Sequence, residues 1–387
     1  MRCTTFGGIL LGLLLLASAG LGCAGCGSST PAPVAQGSGQ GTSGQPASKE
    51  RELKPVDTAG VKADLTGKIQ IDGSSTVYKI SQLAAEEFSG VAKNVDISVG
   101  FVGTGGGFKN FPDPAKELDV CDASRPIQEK ELQASVANGV KFLELPIGID
   151  AITIVVSANS DLFKDHITLD ELKLLWAPGE SGKGDVTKWS QIRKDLPDEA
   201  VALYGADTAS GTFEYFNEAV HKDKKKTRTD YTANANDNVL IQGVEKNKFA
   251  LGYIPYAYYA PRTSTLRAVK IKVADGSDAV EPKPETISTG AYHPFARPLF
   301  IYVNTQSLER PEVANFVQFY LHNAGPLCHN AGYIPFNDVP PIYPRVVERF
   351  EKREIGTAFG GKLDDDLDMT TLMDLPVSYP QQPPASN

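Results

Sequence analysis

Ser210, Gly211 and Thr212, in the run GADTASGTFEYF (205–216), place two hydroxyls and a glycine directly before a segment with helical spacing. Such a triad can serve in three ways. The serine can be a nucleophile if a base stands beside it, a cap that accepts an N–H from the first helical turn, or a donor to a bound anion. The first turn of a helix leaves backbone N–H groups without partners and carries the positive end of the dipole, so anions settle there readily. Two further stretches share the design. In DGSSTV (72–77), Ser75, Thr76 and the backbone of Val77 follow the strand-like KIQIDG; in GTGGGF (103–108), Thr104 and Gly105 follow VDISVGFVG. One such mouth is an ordinary cap. Three in one chain, each rich in glycine or hydroxyls, point to a pocket for a tetrahedral oxyanion. Arg125, in DASRPI (122–127), adds a guanidinium suited to bidentate contact with such an ion.

Other chemistries fit these residues less well. GTGGGF has Phe108 where the dinucleotide fingerprint needs its third glycine, and Asn110 follows Lys109 where a P-loop needs Ser or Thr. Five histidines (His166, His221, His293, His322 and His329) could supply a base for Ser210, but Thr208 stands where a G-x-S-x-G elbow has its first glycine. No histidine pair has the spacing of a zincin helix. A secreted phosphatase is therefore the weaker alternative, and no catalytic residue, metal ligand or cofactor is assigned. The net charge of −9 argues against a nucleic-acid partner. It also means that local donors, not the overall field, must hold an anion.

These mouths have to be positioned by a larger framework. A chain of 387 residues exceeds one core and predicts two lobes. Helical spacing is evident after each mouth, in LDELKLLW behind Thr168 with Glu171 as a capping box, in DNVLIQGVEKN, and in RPEVANFVQFYLHN. Strand-like runs alternate with these helices, which predicts α/β lobes with largely parallel sheets. FLELPIGIDAITIVVS reads as two strand runs broken at Pro146 and Gly148. The boundaries expected are 65–147 plus 296–350 for lobe one and 148–295 for lobe two, with hinges at Pro146–Ala151 and Ala291–Arg297. Residues 351–387 are expected to form an acidic tail. Cys121 and Cys328 can be a disulfide or two separate buried thiols.

The N-terminus gives the compartment. MRCTTFGGILLGLLLLASAGLGCAGCGSS has one early positive charge, an apolar run and small residues ending at cysteines, the form of a secretory signal. Acylation is expected at Cys23, which follows Leu21, with Cys26 as the alternative and a cleaved, fully secreted form as another. Residues 24–64 are a Gly/Ser/Pro-rich linker.

The segments IDGSSTVYKI, VGTGGGFKNF, DASRPI, LYGADTASGTFEYF, DNVLIQGV and GAYHPFARPLFIYV occur in the order found in the phosphate-binding proteins of ABC-type phosphate importers, a branch of the periplasmic binding-protein superfamily. From about Ile69 to Phe336 the chain resembles that family. The resemblance implies a type II-like fold of two α/β lobes joined by two crossing strands, and a periplasmic or cell-surface lipoprotein. It implies that this monomer binds inorganic phosphate and delivers it to permease subunits in the membrane. It also implies that Ser75, Thr76, Val77, Thr104, Gly105, Ser210, Gly211 and Thr212 are ligand donors. In the best-known branch an aspartate accepts the ligand proton and an arginine precedes the Ser-Gly-Thr. Here Arg125 and Ala206 occupy those positions, which implies that Arg125 supplies the pocket charge. Asp207 and Asp122 become the candidate acceptors. Without the usual aspartate, sulfate or arsenate remains an alternative ligand.

Overall fold

In the sequence, apolar residues alternate with polar ones along KIQID and recur at helical spacing from Val77 to Phe88. The computed structural model turns these into a strand and the helix behind it; it describes residues 52–208, 210–223, 226–336, 342–360 and 373–380. Cys23, Cys26 and the acidic run at 361–372 lie outside the described residues.

Lobe one begins with β1 (Thr66–Gly73), α1 (Ser75–Val91), β2 (Asn94–Val99), α2 (Thr104–Asn110), β3 (Val120–Ala123) and α3 (Glu129–Ala137). The long β4 (Phe142–Ser157) leads into lobe two. That lobe contains β5 (Ile167–Thr168), α4 (Leu169–Trp176), β6 (Ala202–Gly205), α5 (Gly211–His221), β7 (Thr232–Ala233), α6 (Asp237–Lys246), β8 (Ala250–Pro255), α7 (Tyr256–Tyr259), β9 (Leu266–Ala268), β10 (Ile271–Lys272) and α8 (Pro284–Ser288). β11 (Ala296–Asn304) returns to lobe one, which α9 (Pro311–His322), α10 (Ala324–Ala331) and α11 (Ile342–Glu351) complete.

The strands run in the order β2-β1-β3-β11-β4-β8-β6-β7, with β9 also on β4, and β5 with β10 forms a separate ribbon. The outer pairs of each lobe are parallel, as βαβ units require. The centre departs from the parallel expectation: β11 is antiparallel to both β3 and β4, and β4 is antiparallel to β8. The reason is that β4 and β11 pass between lobes in opposite directions. β4 pairs with β11 as far as Ala151 and with β8 from Ile152 onward.

β4 is also one strand, not two. Every residue in it is buried, as expected where helices cover both faces of a central strand. Pro146 and Gly148 are absorbed by a register shift: Phe300 faces Pro146, Leu299 faces Gly148, and Ile147 is the extra residue. Its carbonyl accepts the Tyr343 hydroxyl at 3.0 Å. Gly148 lets α10 close in, since a Cβ there would lie 2.3 Å from Cys328 Sγ. Cys328 and Cys121 are both buried and are not joined in a disulfide, so the two cysteines are separate thiols.

The aromatic residues of GYIPYAYYAP serve packing. Tyr253 stacks on Phe216 with centroids 3.9 Å apart, and Trp176 meets both edge-on. The part of the expected tail at 373–380 is likewise packed, with Ser378 bridged to Thr357 and the Tyr379 ring 5.8 Å from that of Phe142. Among the described residues no helix is long and apolar enough to cross a membrane.

Residues 54–62 form a strap along α9 and α10, held by three asparagines. Asn330 accepts from Lys54 N and donates to Lys54 O; Asn323 does the same with Asp57, at 2.7 and 2.8 Å; Asn315 accepts from Lys62 N and donates to Gly60 O. A primary amide offers one acceptor and two donors, so each can satisfy both kinds of backbone group. Asn323 is 2% exposed. Asn323→Ala leaves the Asp57 N–H and carbonyl without these partners and should cost roughly 1–3 kcal/mol, read as a lower melting temperature. Asn330→Ala, at the exposed end of the strap, should cost less.

Candidate functional site

The mouth of α1 is built around a glycine. Gly73 has φ +139°, and a Cβ on it would sit 2.2 Å from the Asp122 carbonyl oxygen, so β1 and β3 approach too closely there for any side chain. Ser74 N–H donates to that carbonyl at 2.9 Å. The Ser74 hydroxyl is the N-cap, accepting from Thr76 N at 3.2 Å and Val77 N at 3.5 Å. The Val77 backbone, expected to serve a ligand, is therefore turned towards its own cap. Ser75 and Thr76 line a cleft between the lobes together with Ser74, Gly103, Thr104, Ser124, Gly211, Glu214 and Arg297.

At α2, Gly103 takes φ +85° and donates its N–H to Gly73 O at 2.7 Å, tying this mouth to the end of β1. Thr104 Oγ1 accepts from Ser124 N at 3.2 Å and lies 3.1 Å from Ser124 Oγ. Gly105 is exposed and stands beside Arg125, whose Nη2 would be 3.9 Å from a Cβ placed there.

Arg125 is not on the cleft wall. Its guanidinium makes a two-pronged contact with Glu131, at 2.9 and 2.8 Å, and also donates to Pro126 O at 3.0 Å. Glu131 is in turn the carboxylate of the α3 capping box. An arginine one residue before proline at the start of a helix is drawn to that helix's own first-turn carboxylate, a local demand that the sequence reading overlooked. Thr104→Ala should consequently weaken anion binding more than Arg125→Ala does. Titration calorimetry of both variants checks this, with a fall in melting temperature expected for Arg125→Ala.

At α5, Ser210 is the N-cap, its hydroxyl accepting from Thr212 N at 3.2 Å. A capping hydroxyl accepts with a lone pair and keeps its own hydrogen, so capping and donation to a ligand are compatible. Ser210 and Thr212 are half-buried and flank Gly211, which is part of the wall. A Cβ on Gly211 would lie 2.8 Å from Thr76 Oγ1 and 3.1 Å from Ser75 Oγ. The first turns of α1 and α5, from opposite lobes, thus meet mouth to mouth.

The cation of the cleft is Arg297, near the start of β11. Its Nη2 donates to Thr76 Oγ1 at 3.0 Å and to Asp150 Oδ2 at 3.0 Å, its Nε donates to Asp150 at 3.2 Å, and its guanidinium lies 3.7 Å over the Tyr215 ring. Asp150 is its Cα partner across the two crossing strands. The Tyr215 hydroxyl donates to Pro294 O at 2.9 Å, fixing the ring. Arg297 was missed as a site residue in the sequence because it stands inside a hinge segment. The available signal was a pair of opposite charges in two largely apolar crossing strands, Arg297 being the one charge of β11 and Asp150 sharing β4 with Glu144.

Of the carboxylates expected to face a ligand, neither lines the cleft. The Asp122 side chain points into the core of lobe one, where Oδ1 accepts from the Ser81 hydroxyl at 2.9 Å. Burial pushes its pKa well above the ordinary range, against the opposing bond from Ser81. The Asp207 carbonyl accepts from Ser210 N at 3.0 Å. None of the five histidines is part of the wall either. What the cleft presents is hydroxyls, two helix first turns, one guanidinium and the carboxylate of Glu214, and the donors among them suit an anion.

Residues 32–324 match the model of a PBP superfamily domain. The chain is 41% identical to the protein SphX of Synechocystis sp. over 80% of its own length and 90% of that protein's. It is 34% identical to the phosphate-binding protein PstS of Staphylococcus haemolyticus, over 70% of this chain and 82% of that one. Among solved structures, a possible phosphate-binding protein from Planctomyces limnophilus is 44% identical, with a TM-score of 0.69 over 75% of this chain and 99% of its own.

Proposed function

The chain belongs to the PBP superfamily, and from that premise we propose that it is an exported receptor that binds inorganic phosphate and hands it to an ABC-type permease. The observation that carries this reading is the convergence of the α1 and α5 first turns, from two lobes, on one wall with Arg297. A tetrahedral oxyanion accepts many hydrogen bonds, and these elements supply donors that are already oriented. Ser75, Thr76, Thr104, Ser210, Gly211 and Thr212 contribute hydroxyls or N–H groups, Ser74 and Ser124 add two more hydroxyls, and Arg297 contributes charge. Binding works by replacing the anion's hydration shell with fixed dipoles while the lobes close about β4 and β11.

The receptor works without chemical turnover, and no histidine is part of the wall beside its hydroxyls. It acts as a monomer, tethered by a lipid on Cys23 or Cys26 and the Gly/Ser/Pro-rich linker. The test is titration calorimetry of protein stripped of ligand by unfolding and refolding. One-to-one binding of phosphate, with no hydrolysis of a chromogenic phosphate ester, is the expected result. A folded sample that binds neither phosphate nor sulfate would overturn the proposal.

A further inference from the structure

Arg297 is held by more than its salt bridge. Its Nε and Nη2 both donate to one oxygen of Asp150, Oδ2, at 3.2 and 3.0 Å, and Nη2 also donates to Thr76 Oγ1. A guanidinium offers five N–H groups. Three are engaged here, and the two on Nη1 have no hydrogen-bond partner among the described residues. A planar group bonded along one edge can still swing about that edge. The Tyr215 ring, its centroid 3.7 Å from the guanidinium carbon, lies against the face of the group and blocks that swing.

We propose that Tyr215 is the positioning residue of the cleft: it fixes the plane of Arg297 and turns the unbonded Nη1 edge towards the bound phosphate. The inference rests on the phosphate reading above. Tyr215 follows Gly211 by one helical turn in α5, so the two share a face of the helix and stand about 5.4 Å apart along its axis. One rigid element therefore sets the spacing between the anion-facing first turn and the platform under the cation. The ring is itself pinned, because its hydroxyl donates to Pro294 O just ahead of β11. Burial pushes the pKa of that hydroxyl well above the ordinary range, against the opposing pull of the Arg297 charge, so its proton stays in place. Tyr215 thus grips this stretch of chain twice, by the backbone at Pro294 and by the side chain of Arg297. The quadrupole of an aromatic face attracts a cation, most strongly where water is excluded. A side chain ordered in advance also loses less freedom when the ligand arrives.

The next residue of the helix gives the contrast. Phe216 stacks on Tyr253 inside lobe two, with centroids 3.9 Å apart. Tyr215 is also buried, but its ring carries a guanidinium, and that guanidinium belongs to the wall of the cleft. Packing accounts for the first ring; the second has a charge to hold.

The test replaces Tyr215 by phenylalanine and then by mono-, di- and trifluorinated phenylalanines, with phosphate affinity read by calorimetry at one pH. Each fluorine weakens the negative face of the ring while changing its shape little. Tyr215→Phe keeps the platform and should bind phosphate within about 3-fold of wild type, with a lower melting temperature because Pro294 O loses its donor. Affinity should then fall stepwise, by about 3- to 10-fold in all from phenylalanine to the trifluorinated ring. Tyr215→Leu, which keeps apolar bulk without a ring, should bind about 5- to 30-fold more weakly than wild type. A flat fluorine series would overturn the proposal. So would affinity that rises with fluorine, since an electron-poor ring that strengthens binding would mean that the ring meets the anion itself. Failure of the wild type to bind phosphate at all would instead overturn the receptor reading on which the proposal rests.

Discussion

Arg297→Ala is expected to weaken phosphate binding by about 10²- to 10³-fold, the largest effect of any single change in the cleft. Two losses combine. The anion loses the guanidinium of the wall, and Asp150, whose side chain is only 5% exposed, loses the partner that neutralises it. Truncating one member of a desolvated charge pair typically costs about 2–5 kcal/mol, much of it from the charge left behind. The orphaned carboxylate would then leave an uncompensated negative charge behind the wall, which opposes an incoming anion. Arg297→Lys keeps the charge but lacks the planar fork that touches Thr76 and Asp150 together, and should fall between the two. The contributions separate in a double variant. Asp150→Asn combined with Arg297→Gln should recover much of the lost melting temperature while phosphate affinity stays low. Recovery of affinity as well would mean that Arg297 serves only to neutralise Asp150.

Gly211→Ala is expected to leave the lobes intact and impair their closure. Gly211 has no positive φ that would exclude a side chain, so its backbone tolerates alanine. The obstacle lies across the cleft, where the new methyl group would stand 2.8 Å from Thr76 Oγ1 and 3.1 Å from Ser75 Oγ. Overpacking of this kind costs about 1–3 kcal/mol. If that falls on the closed state alone, apparent affinity drops about 5- to 150-fold with little change in the melting temperature of the ligand-free protein. The measurement is the phosphate-induced rise in melting temperature, which should shrink or vanish. An unchanged rise would mean that the mouths of α1 and α5 separate further in the bound state than they do here.

Much of this architecture is legible in the sequence because it depends on local rules. Thr168 with Glu171 announces the start of α4, and their reciprocal bonds are present at 3.1 and 2.7 Å. The three glycine- and hydroxyl-rich mouths announce α1, α2 and α5. What the sequence conceals is what depends on partners distant along the chain. Whether Arg125 faces a ligand or Glu131 is decided by side-chain geometry at α3, and both answers are compatible with DASRPI. Arg297 and Asp150 are separated by 147 residues, so their pairing appears only once β4 and β11 lie side by side. The same holds for Pro146 and Gly148, which read as breaks until the register shift against β11 shows how one strand accommodates both.

The asparagine strap has a consequence of a different kind. Asn315, Asn323 and Asn330 bind residues 54–62 through backbone groups, so the clasp does not depend on the side chains it holds. Substitutions at the exposed positions of that stretch can accumulate without loosening it, provided Val56 and Val61 keep their apolar packing and a proline does not remove the N–H of Lys54, Asp57 or Lys62. The exposed positions of this stretch are therefore free to drift in composition while its point of attachment stays fixed. It is also fixed to one lobe only. A pull on the chain ahead of Lys54 would therefore be taken up by α9 and α10, not by lobe two.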